Sequence, residues 1–156
     1  AYGGEQLFAF DIHYTDAIKQ NFFHEITHAI DRKLLSDPDS GLTEEAWCSL
    51  NAPSFEYAYR YNGYEQLSSR DTWFGLPYGH SIDEVYFIDT YAKTYPTEDR
   101  ARLMEYLMND GDHECFASIH LQQKLLYYFE TIRASFDSDD WGETHWEAML
   151  REAAEP

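Results

Sequence analysis

From Ile18 to Leu34 the apolar side chains Ile18, Phe22, Phe23, Ile26, Ile30 and Leu34 recur at the spacing of one helix face, and Ser36, Asp37 and Pro38 end the run. This pattern predicts a helix, capped by Thr15 or Asp16, whose apolar stripe must be covered by other elements of the chain. The same helix carries His24, Glu25, Ile26, Thr27 and His28, an HExxH string. Two histidines four residues apart differ by about 40° around a helix axis, so both imidazoles reach one ion from successive turns of the same face. Glu25 points beside that face, where its carboxylate meets a water on the ion. The residue frequencies of the chain give about a 3% chance of one accidental string of this kind.

Around this helix the pattern is α+β and mostly helical. Phe8, Phe10, Ile12 and Tyr14 alternate with Ala9, Asp11 and His13, which predicts an amphipathic strand over Leu7 to Tyr14. The stretch from Asp37 to about Asp83 is rich in Pro, Gly, Asn, Ser and Tyr and reads as a long ordered loop region, with a short helix near Thr43 to Leu50. A second helix is expected where Thr97 caps Glu98 and Asp99, running through Leu103, Leu107 and Met108 to Gly111. A third spans roughly Ala117 to Phe136 and a fourth Trp141 to about Ala153. With 156 residues, the whole of 1–156 fits one domain.

Charge narrows the function classes. The net charge of -18 is spread along the chain, which disfavours phosphate backbones and anionic lipid surfaces, so nucleic acid is not an expected partner. No window approaches the length of a membrane-spanning apolar helix, and a monomer is expected. Cys48 and Cys115 are far apart and not in CxxC spacing, so neither a disulfide scaffold nor a thiolate zinc site is readable; a single disulfide stays open. Ala1 in place of Met, with no basic and apolar leader, reads as a processed product or an excerpt of a longer chain.

A catalytic zinc ion takes three protein ligands and keeps a fourth position for water, so HExxH needs one more ligand. Glu98 is the candidate: a first-turn carboxylate of the second helix can project toward the first, and a hard oxygen keeps the ion Lewis acidic. An acid placed there by the helix dipole alone fits the residue pattern as well.

The two segments together resemble the anthrax lethal factor-like branch of the gluzincin metallopeptidases and the bacterial zinc-binding peptidases that share its pattern. In that family an HExxH helix is followed by a Tyr, six intervening residues and a Glu that opens a helix of the form ExxA. Here Tyr91, Ala92, Lys93, Thr94, Tyr95, Pro96, Thr97, Glu98, Asp99, Arg100 and Ala101 match that register without a gap. Weaker similarity runs through Trp47, Leu50, Asn51, Phe55 and Tyr57, and through Leu121, Lys124, Ile132, Arg133 and Phe136, so that the likeness covers about Phe22 to Trp146. The resemblance implies a zincin-like domain in which Zn2+ is held by His24, His28 and Glu98. It also implies that Tyr91 faces the reacting carbonyl, and that the protein is a secreted or cell-surface bacterial peptidase acting on peptide or protein substrates. It differs from that pattern in its N-terminal sheet. Only about twenty residues precede HExxH where a zincin builds several strands, so the sheet is reduced and the Phe8 to Tyr14 strand is the candidate substrate-docking edge.

Other residues invite weaker readings. Asp31 shares the helix stripe of His24 and His28 and could hydrogen-bond a ligand imidazole from behind the metal, pack as an ordinary helix residue, or bind the ion directly. His80 and Glu84 read as solvated loop residues rather than cleft residues, His113 and His120 as surface or satisfied core histidines, and Tyr57, Tyr59, Tyr61 and Tyr64 as a cluster that packs a loop onto the core rather than a sugar- or peptide-binding surface. The expected activity is hydrolysis of internal peptide bonds, with Glu25 as general base and Tyr91 as oxyanion donor. The rivals are a zinc-binding but inactive peptidase-like module and a helical interaction domain with a fortuitous HExxH.

Overall fold

A computed structural model describes residues 15–109 and 113–154. Five α-helices dominate them: α1 (Thr15–Ser36), α2 (Glu44–Cys48), α3 (Pro96–Leu107), α4 (Ile119–Ser135) and α5 (His145–Ala154). Among the described residues the strand component is a single parallel bridge between Thr72 and Phe87, so the described chain is mostly helical. The expected strand at Leu7 to Tyr14, and with it the reduced N-terminal sheet, lies outside the described residues. None of the described helices is long and apolar enough to cross a membrane.

Capping chemistry sets the helix starts and accounts for the differences from expectation. Thr43 accepts from Ala46 N at 3.0 Å and starts α2 at the next residue. α3 is not capped by Thr97: Tyr95 occupies the cap position and Pro96 the first turn, where its fixed φ and missing N–H suit a helix start. Thr97 therefore lies inside the helix, and the helix ends at Leu107, short of the expected Gly111. Ser118 caps α4 by accepting from His120 N at 3.2 Å and Leu121 N at 3.4 Å, so residues 114–117 form a separate 3₁₀ turn ahead of it. In the segment before α5, Thr144 N donates to Glu147 Oε2 at 2.7 Å while Glu147 N donates to Thr144 Oγ1 at 3.2 Å, a reciprocal cap that starts the helix after Thr144 rather than at Trp141.

α1 and α3 share the most extensive helix–helix contact, and α4 packs beside both. Leu34, Trp47, Phe87, Leu103, Leu107, Leu121, Leu125 and Tyr128 are fully buried between them. Charges are buried with them. Arg100, completely shielded, places Nε 2.9 and 2.8 Å from the two carboxylate oxygens of Asp31 on α1, and Tyr128 of α4 donates to Asp31 Oδ1 at 2.7 Å. One residue earlier on α3, Asp99 Oδ2 accepts from Lys124 Nζ and Tyr57 OH at 2.7 Å each and from Trp47 Nε1 at 3.1 Å. The segment between α2 and α3 follows the same core: Trp73 N donates to Phe87 O at 2.8 Å, and Ala58 N and Tyr59 N donate to Lys93 O and Thr94 O at 3.0 and 2.8 Å.

Removing one member of such a pair strands the other charge away from water, which costs more than the pair contributes. Arg100→Met is expected to lower the unfolding free energy by about 3–5 kcal/mol in urea titrations. The double variant Asp31→Leu with Arg100→Met should recover most of that loss, because no buried charge is then left alone.

Candidate metal centre

α1 and α3 bring their polar stripes together at one end of the shared interface. His24 and His28 project from successive turns of α1, and Glu98 projects from the first turn of α3, itself only 4% exposed. The two Nε2 atoms are 3.2 Å apart, and Glu98 Oε2 is 3.2 Å from His24 Nε2 and 3.6 Å from His28 Nε2. Oε2 is shut off from solvent and has no hydrogen bond of good geometry. Two imidazole nitrogens and a carboxylate oxygen are thus turned on one another, three electron-pair donors that need either protons or a cation between them. His24, His28 and Glu98 could hold a metal ion.

Two of these three side chains, His24 and Glu98, are held from behind. His24 Nδ1 lies 3.0 Å from Glu105 Oε2, a contact that fixes the ring and leaves Nε2 facing the cluster. Glu105 is in turn held by Arg102 Nη1 at 2.6 Å, and Arg102 Nε donates to Asp89 at 2.9 Å. On Glu98, the Tyr61 hydroxyl donates to Oε1 at 3.0 Å. Tyr91 packs beside His24, with ring centroids 6.3 Å apart, and its phenol faces Glu98.

Electrostatics follows this layout. Burial opposes charge on His24, but the neighbouring carboxylates of Glu105 and Glu98 overrule it and raise its pKa to about 9. Burial likewise works against ionisation of Glu98, yet His24 and His28 hold its carboxyl far below the usual range. Glu105 is lowered in the same way by His24 and Arg102. Burial and the Glu98 charge raise both phenols, Tyr61 to about 12 and Tyr91 further.

Glu25 is exposed and stands at the junction of two clefts. One, of about 630 Å³, runs past His28, Arg32, Leu35, Tyr61 and Thr97; the other, of about 490 Å³, runs past Asn21, His24, Tyr64, Tyr91 and Arg102. A chain laid from one cleft to the other passes both Glu25 and the cluster.

The structure therefore brings His24, Glu25, His28, Tyr91 and Glu98 together. Asp31 borders the cleft beside His28 but hydrogen-bonds neither histidine: its oxygens are taken by Arg100 and Tyr128, and the carboxylate on His24 is Glu105. The reason is steric as much as electrostatic, since Asp31 faces the buried α1–α3–α4 junction, 2% exposed. Glu105 and Tyr61 were not singled out as site residues in the sequence. Glu105 carries a readable signal, being seven residues after Glu98 on the same stripe of α3. Tyr61 carries none, because a loop brings it there. Among the other histidines, His80 pairs with Glu84 at 2.8 Å on the surface, His113 Nε2 meets the carbonyls of Leu107 and Asn109, and His120 stacks on Tyr86. Cys115 lies in the core and Cys48 is half-buried, and no disulfide joins them. Comparisons with family models, with curated proteins and with solved structures return no significant match.

A metal ion bound there would compete with the proton on His24. Uptake would expel that proton, so affinity should tighten about tenfold per pH unit as pH rises toward about 9. Competition against a chelator of known affinity between pH 6 and pH 9 measures this slope. In the metal-free protein the sign reverses: the folded pKa is raised, so the stability it contributes is complete below pH 6.5 and is lost as pH rises through about 9.

Proposed function

We propose that the protein is a zinc-dependent peptidase with a zincin-like site, in which His24, His28 and Glu98 hold the ion. The observation that carries this reading is the ligand triangle. An ion bonded at about 2.0–2.1 Å to tetrahedral ligands keeps neighbouring ligand atoms about 3.3–3.4 Å apart. The three edges here are 3.2, 3.2 and 3.6 Å, from two imidazoles and one carboxylate, with Glu25 beside them. The Tyr91 to Glu98 register shared with gluzincins supports the same assignment.

A zinc ion bound there supplies a Lewis acid that polarises a carbonyl and brings the pKa of a water down to about 7. The chain's own residues do the rest. Glu25 takes the water's proton and passes it to the leaving nitrogen, and its exposed position between the two clefts gives it access to both partners. Tyr91, on the side of His24, donates its phenolic proton in a hydrogen bond to the carbonyl oxygen as charge develops there, a role its raised pKa suits because the proton stays on the phenol. Glu105 holds the His24 ring in place through the reaction. The substrate is a peptide or protein segment laid across the clefts.

A mixed peptide library is the direct test. The zinc-loaded protein should cleave internal bonds, and phenanthroline should stop it; a folded, zinc-loaded protein that cuts no peptide is instead a zinc-binding module without activity. Glu25→Gln should keep zinc and lose hydrolysis, whereas His24→Ala should lose the metal itself. Equal metal loss in the two variants would remove Glu25 from the role of base. Tyr91→Phe should retain fold and zinc while kcat falls by about 10² to 10³ and KM moves little. A Phe variant with undiminished kcat would exclude the phenol as oxyanion donor.

A further inference from the structure

The two oxygens of Glu98 are used differently. Oε2 is enclosed and faces the two histidine nitrogens, while Oε1 accepts from Tyr61 at 3.0 Å. We propose that Tyr61 is a positioning residue that makes Glu98 a one-oxygen ligand, occupying Oε1 so that only Oε2 reaches the metal. This rests on the metal reading of His24, His28 and Glu98. A carboxylate free at both oxygens can chelate, and the second oxygen then takes the place of the water that a catalytic site needs. The phenol stands against that outcome.

Tyr61 is built to stay there although it is 51% exposed. Its ring lies 6.1 Å from Tyr91 at 25° and 4.7 Å from Tyr95. Its loop is tied to the approach to α3 by Tyr59 N donating to Thr94 O at 2.8 Å, four residues before Glu98. Tyr61 also lines the larger cleft, so a substrate entering it meets the same hydroxyl.

Cobalt(II) chloride added to the metal-free full chain gives the readout, because four-coordinate cobalt absorbs strongly in the visible and five-coordinate cobalt weakly. Tyr61→Phe should weaken the visible band relative to the wild type and lower zinc affinity about 10- to 100-fold, with no change in the thermal midpoint. Tyr95→Phe removes a neighbouring hydroxyl that makes no bond to Glu98, and it should behave like the wild type. An unchanged spectrum and zinc affinity in Tyr61→Phe would overturn the proposal, as would the same loss in Tyr95→Phe, which would mark a loop-packing effect. A wild-type chain that binds neither cobalt nor zinc would overturn the metal reading itself, and this proposal with it.

Discussion

The Asp31–Arg100 ion pair, with Tyr128 on the same carboxylate, fixes how α1 and α3 lie against each other. Both charges are sealed from water, so the alternatives to this pairing are costly and few. α3 sends closely spaced residues in different directions: Glu98 to the histidines, Asp99 to Lys124 and Trp47, Arg100 to α1 and Arg102 to Asp89. A one-residue slip of α3 would strand several of these charges at once. The triangle of His24, His28 and Glu98 depends on that constraint, since the proposed metal site needs spacing held to a fraction of an ångström while apolar packing alone tolerates adjustment.

A second layer of restraint comes from carboxylates and phenols rather than from the helices. Asp89 holds Arg102, Arg102 holds Glu105, Glu105 holds His24, and Tyr61 holds Glu98. The strongly acidic chain thus uses one of its few arginines to steady an acid beside the site instead of leaving it to repel Glu98. The tyrosines of the long loop serve the same end: Tyr57 closes the Asp99 network, and Tyr61 reaches Glu98.

Much of this was legible in the sequence because it lies on helices. The stripe from Ile18 to Leu34 and the four-residue spacing of His24 and His28 follow from helix geometry, and α1 runs as that pattern predicts. Glu98 was reachable through the seven-residue interval from Tyr91, though its first-turn position alone could not separate a ligand from a dipole-favoured acid. Asp31 shows the limit of stripe reasoning: sharing a face with two histidines says nothing of which neighbour the face meets further along, and there it meets Arg100. Tyr61 was out of reach because it arrives through a loop fixed by backbone hydrogen bonds to residues 93 and 94, which leave no periodic trace.

Zinc K-edge X-ray absorption on the zinc-loaded chain addresses the central claim most directly, by reading the atoms around the ion. The account predicts one zinc per chain with a nitrogen and oxygen shell at about 2.0–2.2 Å and the outer scattering of two imidazoles. A sulfur shell at about 2.3 Å, which would place the ion on Cys48 or Cys115, or a chain that retains no stoichiometric zinc, would contradict it.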